Sequence, residues 1–278
     1  MSKNHKFVKK GSSGKSNSKL VITLSCIAGA LLLLVIVLIL LIPKEEEVPA
    51  ETTLPTAPTQ TSAPTEVPTT VPPTSIPQET EAVMLDWMVE NYQKNPDLAG
   101  WIKIEGTKLD NPVMYVKDDN YKYLYSDFNG KLNSAGLPYI KGACRLDPES
   151  TNLIIYGHNM LDGSMFGFLS NYKDEKYYRE HPIIEFSTLY EERKYEIVAA
   201  FYDRLYDDSE DCFKFYNFIN ALNEDEFNEA YHYFKANAEY ETGVTAEFGD
   251  HLITLVTCSY HVTDGRFVVV ARMVENEE

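Results

Sequence analysis

Toward its C-terminus the sequence reads HLITLVTC, then SYHVTDG, then RFVVVARMV: an apolar, β-branched run, a seven-residue loop from Ser259 to Gly265, and a second apolar run. Two such runs joined by a short turn-rich loop predict a β-hairpin. If the strands pair, Cys258 at the end of one and Arg266 at the start of the next stand side by side at one sheet edge. A fixed positive charge favours thiolate over thiol and can also hold a developing oxyanion, so this pair has the ingredients of acyl-transfer chemistry. Arg at a strand end more ordinarily caps the edge, so a third group has to decide between the two readings.

A cysteine nucleophile needs a proton carrier. Of the six His, His158 stands in NLIIYGHNM, directly after an apolar strand and a Gly, at the start of a loop that runs on to LDGSMFG. A strand-end His beside Gly is well placed for a site, although such a His is often only a packing or surface residue. His261 is a local rival three residues after Cys258, but it lies within the loop and could equally face water. His181, His232 and His251 have no neighbouring feature that suggests chemistry, and His5 lies near the N-terminus. Other chemistries find less support. The chain has no glycine-rich phosphate loop, its His and Cys lack the paired spacing of a zinc site, and GHNMLDGSMFG lacks the Ser between two Gly of a nucleophile elbow. Papain-like enzymes place Cys before His, the reverse of the order here.

The elements that must position these residues are mostly short strands. WIKI at 101, PVMYV at 112, LPYI at 137, NLIIYG at 152, IIEFST at 183, KYEIVAAFYD at 194, HLITLVTC at 251 and RFVVVARMV at 266 are β-rich pieces separated by turn residues. Such a series argues for an antiparallel sandwich or barrel rather than a parallel α/β sheet. Ahead of it, VMLDWMVENYQK over 83–94 places Met84, Trp87, Met88 and Tyr92 near helical spacing, and Asn95-Pro96 ends the run. A second helical stretch, rich in Phe, Tyr, Ala and Glu, covers roughly 213–239.

The first 82 residues are a different material. Residues 1–19 carry six Lys and no acid; Leu20 to Ile42 is a 23-residue run without a charge; residues 43–82 hold seven Glu, one Lys and nine of the fourteen Pro. A helix of 23 residues spans ~34 Å, enough for a bilayer core and too long for a signal-peptide apolar region. The basic flank then belongs on the cytoplasmic side. The expected organisation is a cytoplasmic basic tail (1–19), a transmembrane anchor (20–42), a Pro/Thr-rich extracellular stalk (43–82) and an extracellular domain (83–278), in a single-pass protein of the cell membrane. The tail and stalk charges cancel, so the net charge of −17 falls on residues 83–278. With 42 acidic against 25 basic residues, nucleic acid is disfavoured as a partner class on electrostatic grounds. Cys26 lies in the apolar run, leaving Cys144, Cys212 and Cys258 outside it: one disulfide at most, with at least one thiol free.

TLVTC, with Arg266 eight residues beyond Cys258 and GHNM about 100 residues upstream, resembles the sortases, membrane-anchored cysteine transpeptidases of Gram-positive bacterial surfaces. NPDLAGWIKIEGTKLDNPVMYVKDDNYKYLYSDFNGKLNSAGLPYI is similar to the N-terminal half of class B members, as is the helical stretch before the strand carrying Cys258, and the likeness covers residues 83–278. The DPF or DPW lid motif of pilus-building class C enzymes is missing from the sequence. The resemblance implies a mainly β fold: an eight-stranded sortase-type β-barrel with an N-terminal helix and a long helical insertion before the strand of the catalytic Cys. By matching position it implies catalytic His158, Cys258 and Arg266, and no cofactor or metal. It further implies that Cys258 cleaves a C-terminal sorting signal of secreted surface proteins through a thioacyl-enzyme. The acyl group would pass to an amino group of a lipid-linked peptidoglycan precursor or of a cross-bridge. The signal itself, NPxTN-like or LPxTG/PPxTG-like, stays open. So do a sortase-like hydrolase, a pilin polymerase and a non-catalytic surface binding module.

Overall fold

The structure, a computed structural model, describes residues 82–274. The basic tail, the apolar run at 20–42 and nearly all of the stalk lie outside the described residues. Among the described residues no helix is long and apolar enough to cross a membrane.

Eight strands close into a barrel: β1 (Leu98–Lys103), β2 (Asp110–Met114), β3 (Tyr139–Ile140), β4 (Asn152–Tyr156), β5 (Ile183–Thr188), β6 (Lys194–Arg204), β7 (Leu252–Cys258) and β8 (Gly265–Met273), in the spatial order β1-β2-β3-β4-β7-β8-β6-β5. All eight coincide with the β-rich pieces of the sequence. The expectation of an antiparallel arrangement needs correction, because β2 pairs with β3 and β4 pairs with β7 in parallel. Parallel neighbours need a long return path, and the chain between β4 and β7 supplies one, including β5, β6 and two helices. A strand buried on both faces reads as a continuous apolar run. In β4 (NLIIY) only Tyr156 escapes full burial, and in β7 (LITLVTC) only Cys258. That pattern fits a central strand of either polarity, so it does not reveal direction.

Helix α1 (Asp86–Lys94) buries Met88, starts three residues later than the periodicity suggests because Leu85 is non-helical, and ends at extended Asn95. The insertion is less helical than expected. Only Glu224–Asn237 (α3) is α-helix, while Phe215–Asn217 is a 3-10 turn. Asn223 starts α3 by accepting from the Glu226 N–H at 3.0 Å, and the Glu226 carboxylate reaches back to the Leu222 N–H at 2.9 Å. This reciprocal cap sets the helix boundary. Phe213 and Phe218 before it pack against Phe234. A 3-10 turn at Leu169–Lys173 and a short helix α2 (Glu175–Glu180), capped by Asp174, had no counterpart in the sequence reading.

The barrel interior forms one large apolar core. A second, small cluster of Met88, Leu98, Met114, Tyr123 and Tyr139 lies where α1 and the β2–β3 loop cover the outside of the sheet. The long β2–β3 loop, residues 115–138, is held by polar anchors. Asp97 accepts from Tyr123 Oη at 2.8 Å and from Lys122 Nζ, and Asn95 Nδ2 donates to the Tyr123 hydroxyl and to the Phe128 carbonyl, each at 2.8 Å. Partial burial opposes ionisation of Asp97, but the hydrogen bonds from Lys122 and Tyr123 and the Lys122 charge outweigh it and hold the carboxyl below its usual value. A carboxyl depressed on folding contributes stability that is present above the unfolded Asp value of ~3.9 and is lost as pH falls through the lower folded value. Asp97→Asn is therefore expected to lower unfolding free energy near neutral pH, and the difference from wild type should shrink as pH falls below about 4. Denaturant titrations at several pH values check this; a gap that stays constant or widens in acid would refute the anchor.

Candidate active site

The β7–β8 hairpin forms in the expected register, with Cys258 directly opposite Arg266. Strand β8 begins at Gly265, so the connecting loop is one residue shorter than the sequence reading, and Ser259 N–H closes it on the Gly265 carbonyl at 2.8 Å. His158 arrives from β4. Tyr156 stands beside Val256 in the parallel pair, and the pairing then continues past the end of the strand through side chains and backbone. Gly157 N–H donates to the Val256 carbonyl at 3.1 Å, Thr257 Oγ1 donates to the Gly157 carbonyl at 2.8 Å, and Asn159 Nδ2 donates to the Cys258 carbonyl at 2.8 Å. This ladder carries His158 to the level of Cys258. Gly157 is required there by packing, since a Cβ on it would come within 2.6 Å of the Phe166 ring.

The imidazole is oriented by the β2–β3 loop. His158 Nε2 lies 2.7 Å from the Leu124 carbonyl, and the ring packs against Tyr125 with 5.3 Å between centroids. A carbonyl can only accept, so Nε2 carries a proton and, in the neutral ring, Nδ1 holds the free lone pair. Arg266 Nη1 donates to the carbonyls of Asp264 at 3.1 Å and Gly265 at 2.9 Å, which holds the base of the guanidinium against its own turn. Asp264 adopts φ 54°, a left-handed conformation that Asp tolerates better than most residues. None of the ion pairs among the described residues includes Arg266.

His158, Cys258 and Arg266 line one cleft of about 550 Å³, together with Leu124, Tyr125, Tyr139 and Tyr156. Burial, reinforced by the neighbouring Cys258 and opposed by Arg266, pushes the Tyr139 hydroxyl up to about 12. Burial raises Tyr156 as well. Both therefore stay neutral at physiological pH and keep their protons. His181, His232, His251 and His261 do not line the cleft. His261 Nδ1 instead lies 2.9 Å from Ser259 Oγ, and the ring packs on Tyr202.

All three cysteines of the described residues are free, so the disulfide that the sequence allowed does not form. Cys144 is buried with Sγ 3.7 Å from the Asn152 carbonyl, and burial pushes its thiol up; Cys212 is exposed and does not line the cleft. Sequence reasoning missed Asn159 and Leu124. Asn159 was visible inside GHNM, but the Leu124 contribution is a backbone carbonyl with no signature in residue type.

A model of the sortase domain matches residues 102–274. The chain belongs to the sortase family. It is 30% identical over 185 residues to sortase B of Staphylococcus aureus, covering 65% of this chain and 72% of that one. Against sortase B of Listeria monocytogenes it is 30% identical over 183 residues, covering 65% and 71%. The structure of a Staphylococcus aureus sortase B–substrate complex superposes with a TM-score of 0.63 at 27% identity, over 70% of this chain and 87% of that one. Clostridium perfringens sortase B superposes at 0.60 and 26% identity, over 67% and 99%. Within the family the protein is thus of the class B type, a cysteine transpeptidase with the expected eight-stranded barrel.

Asn159 holds the cysteine's own carbonyl without itself lining the cleft. Its loss removes one hydrogen bond, worth ~1 kcal/mol. Asn159→Ala is expected to lower kcat about fivefold, the change that ~1 kcal/mol of barrier produces, with little change in KM. Steady-state transpeptidation kinetics check this, and an unaltered kcat would show that the bond does not position the thiol.

Proposed function

We propose that Cys258 is the nucleophile, His158 the proton carrier and Arg266 the electrostatic stabiliser of a sorting-signal transpeptidase. The observation that carries this reading is their convergence on one cleft from three separate strand ends, with His158 oriented and Arg266 unpaired among the described residues. The Cys258 thiolate attacks the scissile carbonyl, with the thiol proton passing to His158 Nδ1. A C–S bond forms, Arg266 faces the oxyanion, and collapse breaks the C–N bond as His158 returns the proton to the leaving amine. An incoming amine then attacks the thioester and gives its proton to His158; the C–S bond breaks as the new C–N bond forms, and the departing Cys258 sulfur takes that proton back from His158. No step calls for a cofactor.

The donor is the C-terminal sorting signal of a secreted surface protein, and the acceptor is an amino group of a lipid-linked peptidoglycan precursor or of a cross-bridge. A solved sortase B complexed with triglycine supports a peptide amine in that place. The composition of residues 1–82 supports a single-pass protein with its tail in the cytoplasm, its anchor at 20–42 and its catalytic domain outside the membrane on a Pro/Thr-rich stalk. A reporter fused after Glu278 should be active only on the outer side, and activity confined to the cytoplasm would reverse this topology.

Mass spectrometry of the purified enzyme with a panel of NPxTN-, LPxTG- and PPxTG-type peptides is expected to reveal a thioacyl adduct on Cys258. Added amine should convert it to the amide-exchanged product. Cys258→Ala should lose both, with turnover falling by at least about a thousandfold. Retained turnover in that variant would overturn the assignment of the nucleophile, and hydrolysis alone in the presence of amine would favour a protease instead.

A further inference from the structure

The active-site cleft holds a second cation that the reaction above does not use. Tyr139 and Lys141 are two residues apart at the end of β3, so they present the same side of the strand, and both line the cleft, while Ile140 between them is fully buried in the core. Lys141 is half-buried. Its Nζ donates to the Tyr216 carbonyl and lies 5.8 Å from the Tyr216 ring centroid. An ammonium has three donors, and this carbonyl takes one. None of the ion pairs among the described residues includes Lys141. The acid of the cleft, Asp208, is exposed at its rim and forms no ion pair with it. Burial lowers the Lys141 pKa, opposed only by the nearby Cys144 thiol, as expected of an ammonium with no carboxylate beside it. In a chain of net charge −17, a half-buried cation left without a carboxylate inside the catalytic cleft is an exception that a substrate carboxylate would satisfy.

Register places Lys141 relative to the nucleophile. Its backbone N–H donates to the Ile154 carbonyl at 2.8 Å, and Ile154 pairs with Thr254, four residues before Cys258 on β7. At ~3.3 Å per residue and ~4.8 Å between strands, Lys141 lies about 13 Å along the sheet and about 10 Å across it from Cys258. That is on the order of 16 Å, the reach of about five residues of extended peptide. Resting on the sorting-signal reading above, we propose that Lys141 is a specificity-determining residue that accepts an Asp or Glu side chain on the acyl segment of the substrate, about five positions before the scissile bond and so just upstream of the sorting motif. The bond to Tyr216 by itself would give Lys141 a purely structural role, tying the 3-10 turn to β3. Such a role affects stability and is blind to the charge of the substrate.

The test uses sorting-signal peptides carrying Asp, Asn or Lys at the fifth and at the sixth position before the scissile bond, with the rate of Cys258 acylation followed for wild type and for Lys141→Glu, Lys141→Gln and Lys141→Arg. At one position wild type should acylate with the Asp peptide at least tenfold faster than with the Lys peptide. Lys141→Arg should keep that preference, Lys141→Gln should flatten it, and Lys141→Glu should invert it. Equal rates for Asp and Lys peptides at every position, or an unchanged preference in Lys141→Glu, would overturn the assignment while leaving the transpeptidase reading intact. If no peptide of the panel acylates wild type, the sorting-signal reading itself falls, and this inference with it. Circular dichroism and the rate of Cys258 alkylation establish that each variant is folded with an open cleft, and a variant that fails either is replaced by the peptide-charge comparison on wild type. There, a tenfold Asp preference supports the proposal and its absence refutes it.

Discussion

The parallel pairing of β4 with β7 is the constraint on which the site depends. It sets Tyr156 beside Val256, and the ladder then continues through Gly157, Thr257 and Asn159 until the strand-end histidine reaches the level of the strand-end cysteine. Each bond beyond the strand is individually modest, of order 1 kcal/mol. Together they extend a rigid sheet into what would otherwise be two independent loops. The buried polar pair within the strands serves the same end. Asn152 accepts from Thr254 at 2.9 Å and donates to the Phe218 carbonyl at 2.9 Å, so the start of β4 is tied at once to β7 and to the segment before α3. Leaving any of these groups unpaired in the core would cost more than the bond contributes, which makes the register hard to slip.

Around this rigid floor the loops supply orientation and charge. The β2–β3 loop, anchored through Asp97 and Asn95, offers the Leu124 carbonyl to the imidazole and so fixes the ring without adding a charge to the site. Neutral Tyr139 and Tyr156 leave Arg266 and Lys141 as the cations of the cleft, set against the acidic exterior. The arrangement places two cations in one cleft of an otherwise acidic chain, where partial burial makes each charge count for more than it would in water.

How legible this was depends on the sequence distance over which each feature is decided. The eight strands were readable because burial on one or both faces writes itself into alternating or continuous apolar runs such as KYEIVAAFYD and LITLVTC. The direction of pairing was not, because a strand buried on both faces looks the same whether its neighbour runs with it or against it. The insertion was over-read as helix because Phe213 and Phe218 have the composition of the helix they pack upon, while the cap that starts α3 lies at Asn223 and Glu226. Of the site, Cys258 and Arg266 followed from one short hairpin, and His158 from its place after a buried strand.

What the sequence by itself determined, then, was local: which residues alternate or cap, which run is a hairpin, and that a thiol and a guanidinium must meet across it. A short loop leaves two strands one obvious way to pair, so that contact is set by chain connectivity. The approach of His158, the carbonyl of Leu124 and the placement of Lys141 were decided by the tertiary structure alone. They depend on closure of the barrel over pairings such as Asn152 with Leu252 and on a backbone carbonyl whose position no side chain announces. Such contacts form only when the whole core is buried at once, and the free energy that selects them is spread over every strand rather than held in any one segment.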